Sequence, residues 1–358
     1  MSQQPSLPTR STRRQFIGAI GAGLAGGIAA PTLLHASDKA GTRRPVVGSG
    51  PYTYEVYHDW GTLPPGLKYG NTHGVAVDAQ GHVYVHHTVH ATSQLHDTMV
   101  VFDAEGRFVR SWGSQFEGGA HGLHIGAANR DEFLILCDTK RATVTKVTPA
   151  GEVVWQLGYP KESPHYRLNA DGSPGVKYSP TNVAVAPGGD IYVGDGYGSS
   201  FINQHDASGR FVRTFGGKGT GPGQLDCPHG LIVDTRGSTP VLLVADRSNR
   251  RLQRFSLDGT HLGFDEGFPH PCHFSEYEGT MVVPDLFAKV TLIDRRNAVV
   301  AELGSNGPDS WKALRTGPRD GFPSGRFVCP HGATFDHAGN IFVVEWVEVG
   351  RVTKLRKV

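Results

Sequence analysis

The stretch CPHGLIVDTRGSTPVLLVADRSNRRLQRF, residues 227–255, decides the fold. Two apolar runs, LIVD and VLLVAD, flank the turn TRGSTP, and a third run, RLQRF, follows the turn DRSNR. Apolar runs of this length, broken by Gly- and Ser-containing turns, predict short antiparallel strands. The design recurs as NTHGVAVDAQGHVYV from Asn71, GAHGLHIGAANRDEFLIL from Gly119, SPTNVAVAPGGDIYV from Ser179, PCHFSEYEGTMVV from Pro271 and CPHGATFDHAGNIFVV from Cys329. Most units continue through two further strands, such as FVRTFG near Phe211. A repeat of roughly 40–50 residues with four short strands per unit marks a β-propeller blade. The expected fold is all-β, a six-bladed β-propeller.

Composition agrees. In 358 residues, 48 Gly and 23 Pro supply turns, and 38% hydrophobic content supplies a core that can be shared among blades. The last unit runs out at Val358 after three strands, so its fourth is expected from YTYEVYHDW, residues 52–60, an N-terminal strand that closes the ring and removes sheet edges. Upstream, STRRQFIG at residues 11–18 and the Gly/Ala-rich stretch 19–34 read as a twin-arginine export signal, with cleavage near Ala36. The expected organisation is a signal peptide over 1–36, a linker over 37–50 and the propeller over 51–358. Export would place the mature protein in the periplasm or outside the cell, with the twin-arginine machinery as a transient partner and no stable membrane anchor after processing. Losing Arg10, Arg13 and Arg14 takes the formal charge from +2 to −1. A nearly neutral surface gives no reason to expect nucleic acid as a partner and leaves a small molecule or peptide as substrate.

His121, His229 and His331 stand at one repeat position on alternate units, each just before a first strand. Six units around an axis set these imidazoles a third of a turn apart, a three-nitrogen metal site of the kind catalytic zinc takes. A structural calcium is left open as a second ion. His73 and His273 show that the repeat also accepts histidine on other units, whereas Asn182 interrupts the series. Of the four cysteines, Cys137 reads as packing, while Cys227, Cys272 and Cys329 lie close in sequence to axial histidines, and a disulfide framework across blades is not expected. Strand pairing puts the end of each second strand on the face where first strands begin. Asp138, Asp195, Asp246 and Asp285 recur there as turn residues, but Tyr197 and Arg247 break the repeat and place functional groups on the histidine rim. The long connections 159–178, 307–326 and 86–98 are expected to rise over that face.

The run SPTNVAVAPGGDIYVGDGYGSSFI (179–202), the stretch 227–255 and CPHGATFDHAGNIFVVEW (329–346) together resemble the NHL-repeat propeller of peptidyl-α-hydroxyglycine α-amidating lyase, also called peptidylamidoglycolate lyase. The resemblance covers roughly residues 70–358. It implies zinc on His121, His229 and His331, Tyr197 as catalytic base and Arg247 as its charge partner. Three departures accompany it: His87, a third candidate catalytic residue, stands where the family has a second catalytic arginine and is expected to supply its positive charge, Gly198 and Leu243 stand at family cysteine positions, and Cys329 replaces a methionine. The implied reaction cleaves the C–N bond of a peptidyl-α-hydroxyglycine to an amide and glyoxylate. Two other readings fit a six-bladed ring: a non-catalytic NHL propeller that binds a protein or glycan, and a lactonase-like hydrolase.

Overall fold

Residues 34–37, 43–128 and 131–358 are described by the computed structural model. They form six antiparallel sheets arranged as a six-bladed propeller. The expected twin-arginine motif and apolar stretch lie outside the described residues. Blade one contains strands Thr72–Val77, Val83–His87, Met99–Phe102 and Phe108–Trp112. The first strands of blades two to six are Ala120–Ala128, Asn182–Val185, Pro228–Asp234, Ser275–Tyr277 and Pro330–Phe335. Among the described residues the one α-helix is Ser310–Leu314, in the connection between blades five and six.

Period-two alternation explains how the core is divided. In blade one, Val83 and Val85 face blade six and pack with Phe342 and Val344, whereas the intervening Tyr84 faces blade two and packs with Leu123, Leu134 and Leu136. Every blade is buried on both faces in this way, so the core consists of layers between blades rather than one centre. Cys137 lies in the layer between blades two and three, the packing role its sequence position implied.

The ring closes as the sequence predicted. Tyr54–His58 pairs antiparallel with Arg351–Lys357 as the fourth strand of blade six, with Val56 opposite Leu355 and Tyr54 opposite Lys357. Tyr54 and Val56 are buried with Ile341, Val343 and Leu355, while Glu55, on the other face, pairs with Arg356. One feature differs from expectation: residues 37–50 are not all linker. Arg43–Val47 adds a further strand beside Tyr54–His58, and Leu34–Ser37 pairs beyond it. The edge of the closing strand exposes unpaired backbone groups, and this segment covers them.

At the axis, the register of first and second strands slips in four blades, between Thr72 and Gly74, Ala120 and Leu123, Pro228 and Leu231, and Pro330 and Gly332. Each slip holds a His-Gly pair. A bulge of this kind re-aims a side chain, and here it directs His73, His121, His229 and His331 toward the axis. The glycine is required by close approach: a Cβ on Gly122 would lie 2.4 Å from the Thr181 carbonyl oxygen, and one on Gly230 would lie 2.4 Å from that of Cys272.

Removing the closing strand should open the ring. A chain starting at residue 61 is expected to melt far below one starting at residue 48, because burying Tyr54 and Val56 contributes about 1.5–3 kcal/mol each. Equal melting temperatures for the two truncations in calorimetry would refute the closure.

Candidate metal and catalytic site

The three expected histidines meet at the axis. Ring centroids of His121, His229 and His331 lie 4.7–4.9 Å apart. Each is anchored on a backbone carbonyl of another blade through Nδ1: His121 on Thr181 at 2.7 Å, His229 on Cys272 at 2.9 Å and His331 on His73 at 2.9 Å. A carbonyl oxygen can only accept, so the proton sits on Nδ1 and Nε2 carries the lone pair. Orienting a ligand imidazole through its other nitrogen is the usual support for a metal-binding histidine.

A fourth histidine joins them. His73, His121 and His331 have ligand atoms within 4.8 Å of one another, and His73 Nδ1 lies 3.5 Å from His331 Nε2. His229, which the sequence placed in the ligand set, touches His121 and His331 ring to ring but is not in the group whose ligand atoms lie that close. The set His121, His229 and His331 has the uniform Nδ1 anchoring, while His73 turns Nδ1 inward and has no such anchor. The anchored set is therefore pre-oriented at Nε2, with His73 beside it. His73 was legible as the fourth His-Gly pair but not as a member of the cluster, because position in the repeat alone does not reveal which blades carry the bulge.

Burial governs the charge of all four. It pushes the His121 imidazole down to about 3 and those of His73, His229 and His331 well below the ordinary value, with neighbouring imidazoles adding repulsion, together with Arg315 at His73 and Arg247 at the other three. All four are neutral at pH 7, the state in which imidazole binds metal.

Tyr197 and Arg247 reach the same point. The Tyr197 hydroxyl is 3.2 Å from His121 Nε2 and 3.1 Å from His229 Nε2, and it accepts from Arg247 Nη1 at 3.4 Å. Burial raises the phenol above its usual value, and Arg247 opposes that without overcoming it. Arg247 is itself only 9% exposed; it forms no salt bridge among the described residues, and its Nε has no acceptor. The recurring acids behave as turn anchors: Asp195 accepts from the Ser179 and Ser199 amides, Asp246 from Asp226, and Asp285 from His270 and Phe287.

His87 lies elsewhere on the rim. It is fully buried edge-on against Tyr69, accepts from the Val89 amide at Nδ1 and has no partner at Nε2. Burial pushes it down to about 3, so at neutral pH it brings no positive charge. Cys227, Cys272 and Cys329 are free and buried. Burial raises all of them, Cys272 to about 12, so they too are neutral.

Two of the long connections frame the cluster. Tyr166 and Lys177 bond to Asp195 and Ser199 beside Tyr197, and Trp311, Leu314 and Phe322 pack against Cys272 and Cys329. The connection 86–98 instead folds against Gly66 and Lys68. Along the first strands the axis continues into a cavity of about 230 Å³ lined by residues including Leu123, His124, Leu231, His273 and Thr334.

No family model matches the chain. It is 30% identical over 240 residues to the peptidylglycine alpha-amidating monooxygenase of Rattus norvegicus, covering 59% of this chain and 23% of that protein. It is 29% identical over 233 residues to NHL repeat-containing protein 3 of Homo sapiens, covering 61% and 62%. It is 26% identical over 229 residues to a probable peptidyl-alpha-hydroxyglycine alpha-amidating lyase of Caenorhabditis elegans, covering 58% and 60%. The matched region thus spans about a quarter of the rat protein and under two thirds of the other two. Among solved structures, a streptogramin B lyase superposes with a TM-score of 0.55 at 14% identity, over 85% of this chain and 97% of that one, a likeness of fold. The class defined here is a six-bladed propeller with an axial histidine cluster, related to proteins named for peptide amidation and for NHL repeats. No helix among the described residues is long and apolar enough to cross a membrane.

The depressed imidazoles make stability depend on pH. Their folded values lie below the unfolded value of about 6.5, so their contribution is complete above that pH and is lost as pH falls toward the folded values. Each adds a slope of up to about 1.4 kcal/mol per pH unit. Urea unfolding of metal-free protein should show a clear loss of stability between pH 7 and pH 5; a flat profile would mean that the cluster is open to protons in the folded state.

Proposed function

We propose that the protein is an exported zinc-dependent lyase that splits the C–N bond of a peptidyl-α-hydroxyglycine, or a related α-hydroxy amide, into a primary amide and glyoxylate. The observation that carries this reading is the Tyr197 hydroxyl held among His121 Nε2, His229 Nε2 and Arg247 Nη1. The relatives named for amidation support it.

The donor set fits the metal. Neutral imidazoles suit zinc, whereas calcium prefers carboxylate and carbonyl oxygen, and this also weighs against a lactonase-like calcium centre. His121, His229 and His331 would hold the ion through Nε2. Bound there, zinc would polarise the substrate hydroxyl and lower its pKa. Tyr197 would take the hydroxyl proton at its phenolic oxygen, the one oxygen that two ligand histidines share. Burial disfavours the tyrosinate this requires, and the adjacent Arg247 guanidinium favours it. As the C–N bond breaks, its electron pair goes to nitrogen, the hydroxyl oxygen becomes the aldehyde oxygen of glyoxylate, and Tyr197 returns the proton to the departing amide. The connections over the rim would limit water at this step.

Tyr197→Phe should retain zinc and lose about two to four orders of magnitude in glyoxylate release from N-benzoyl-α-hydroxyglycine. A zinc-loaded parent that releases none would remove the lyase reading and favour a propeller that only binds. Metal analysis separates the two histidine trios. His229→Ala should lose tightly bound zinc while His73→Ala keeps close to one equivalent, and the reverse result would transfer the site to His73, His121 and His331.

A further inference from the structure

The 3.5 Å between His73 Nδ1 and His331 Nε2 suits two ligands on one ion better than it suits a hydrogen bond. His331 donates from Nδ1 to the His73 carbonyl, so its Nε2 turns a lone pair toward the His73 ring. A proton shared by the two nitrogens would draw them closer, to the roughly 2.7–3.2 Å of ordinary N–H donors. Two ligand atoms on a tetrahedral zinc, with bonds of about 2.0–2.1 Å, stand about 3.3–3.4 Å apart, which is nearly the spacing found here.

The rest of the His73 environment agrees. Its ring packs 4.7 Å from that of His121 and 4.6 Å from that of His331, and the ligand atoms of these three lie within 4.8 Å of one another. His73 and Tyr197 approach from different sides. The Tyr197 oxygen lies between His121 Nε2 and His229 Nε2, whereas His73 Nδ1 faces His331. Because Nδ1 is the inward atom of His73, no backbone carbonyl fixes this ring as it fixes the other three.

We infer that His73 is a fourth protein ligand, bound through Nδ1, so that the resting metal centre is a closed set of four imidazoles. The inference rests on the metal reading above and not on the identity of the reaction. Lacking an anchor, His73 is the ligand that yields to an incoming oxygen donor such as a substrate hydroxyl, while the anchored three keep the ion. A zinc with an open position activates water as a nucleophile. A closed centre withholds that activity, as suits a bond cleavage that consumes no water.

The test uses the full chain loaded with Co2+, whose visible spectrum reports its ligands, and azide as the probe of an open position. The parent spectrum should stay constant between about pH 6.5 and 9 and respond only weakly to azide. His73→Ala should still take up the ion, gain the ionisation of a water on the metal in that pH range, and bind azide about tenfold or more tightly than the parent does. Its Co2+ affinity in chelator competition should fall about tenfold or more. Free imidazole should restore the parent spectrum, which a merely structural role for the side chain would not predict. If His73→Ala does not fold, His73→Leu fills more of the space without a donor and gives the same pH, azide and affinity comparison. A parent that titrates or binds azide as the variant does, or equal Co2+ affinity in both, would overturn the inference and leave the anchored three as ligands. A parent that takes up no Co2+ would remove the metal reading with it, whereas a closed centre that releases no glyoxylate would remove only the lyase reading.

Discussion

The site depends on how closely the first strands pass one another at the propeller axis. After His121 and His229 there is room only for a hydrogen, because the next blade's backbone occupies the space of a Cβ. That proximity brings a carbonyl of another blade within hydrogen-bond reach of each Nδ1, turns Nε2 toward the axis and removes the rings from water. Desolvation then keeps the imidazoles neutral. Orientation and protonation state are thus two results of one packing constraint, and both rest on closure of the ring by Tyr54–His58.

Charge is distributed unevenly around that axis. The acids that end the second strands are consumed by the fold, accepting backbone amides that start the adjacent first strands. Glu345 does this for Val328 and Cys329 while paired with the buried Arg351. Removing one partner of such a buried pair typically costs about 3–5 kcal/mol, so these positions serve the scaffold. Arg247 is the converse case, a buried cation beside Tyr197 that forms no salt bridge among the described residues. Spending the acids on turns while leaving this arginine unpaired beside the imidazoles favours negative charge that develops there.

The architecture was legible because a propeller is locally encoded. Strand alternation, the turn acids and the missing fourth strand of the last blade all follow from periods of two residues and of one blade, and the alternate placement of His121, His229 and His331 follows from the repeat phase. Tyr197 and Arg247 stood out because they interrupt that phase, and the structure brings both to the imidazoles.

What remained hidden depended on distances between blades. His73 has the same His-Gly pair as the other three, yet only the axial geometry shows that it lies 3.5 Å from His331. His87 occupies a position where a cation was expected, and only its complete burial reveals that it is neutral. Arg315 belongs to no repeat, so nothing in the pattern marks it; its place on Trp346 comes from packing of the connection between blades five and six. Residues 43–47 read as linker because pairing to an edge strand leaves little periodic signal in so short a segment. The amino-acid sequence by itself determined the ring, its closure and the residue types on its axis, since these follow from local periodicity. The tertiary structure decided which of those residues meet, which are charged and which lack partners, since desolvation and pairing exist only once separate blades are brought together.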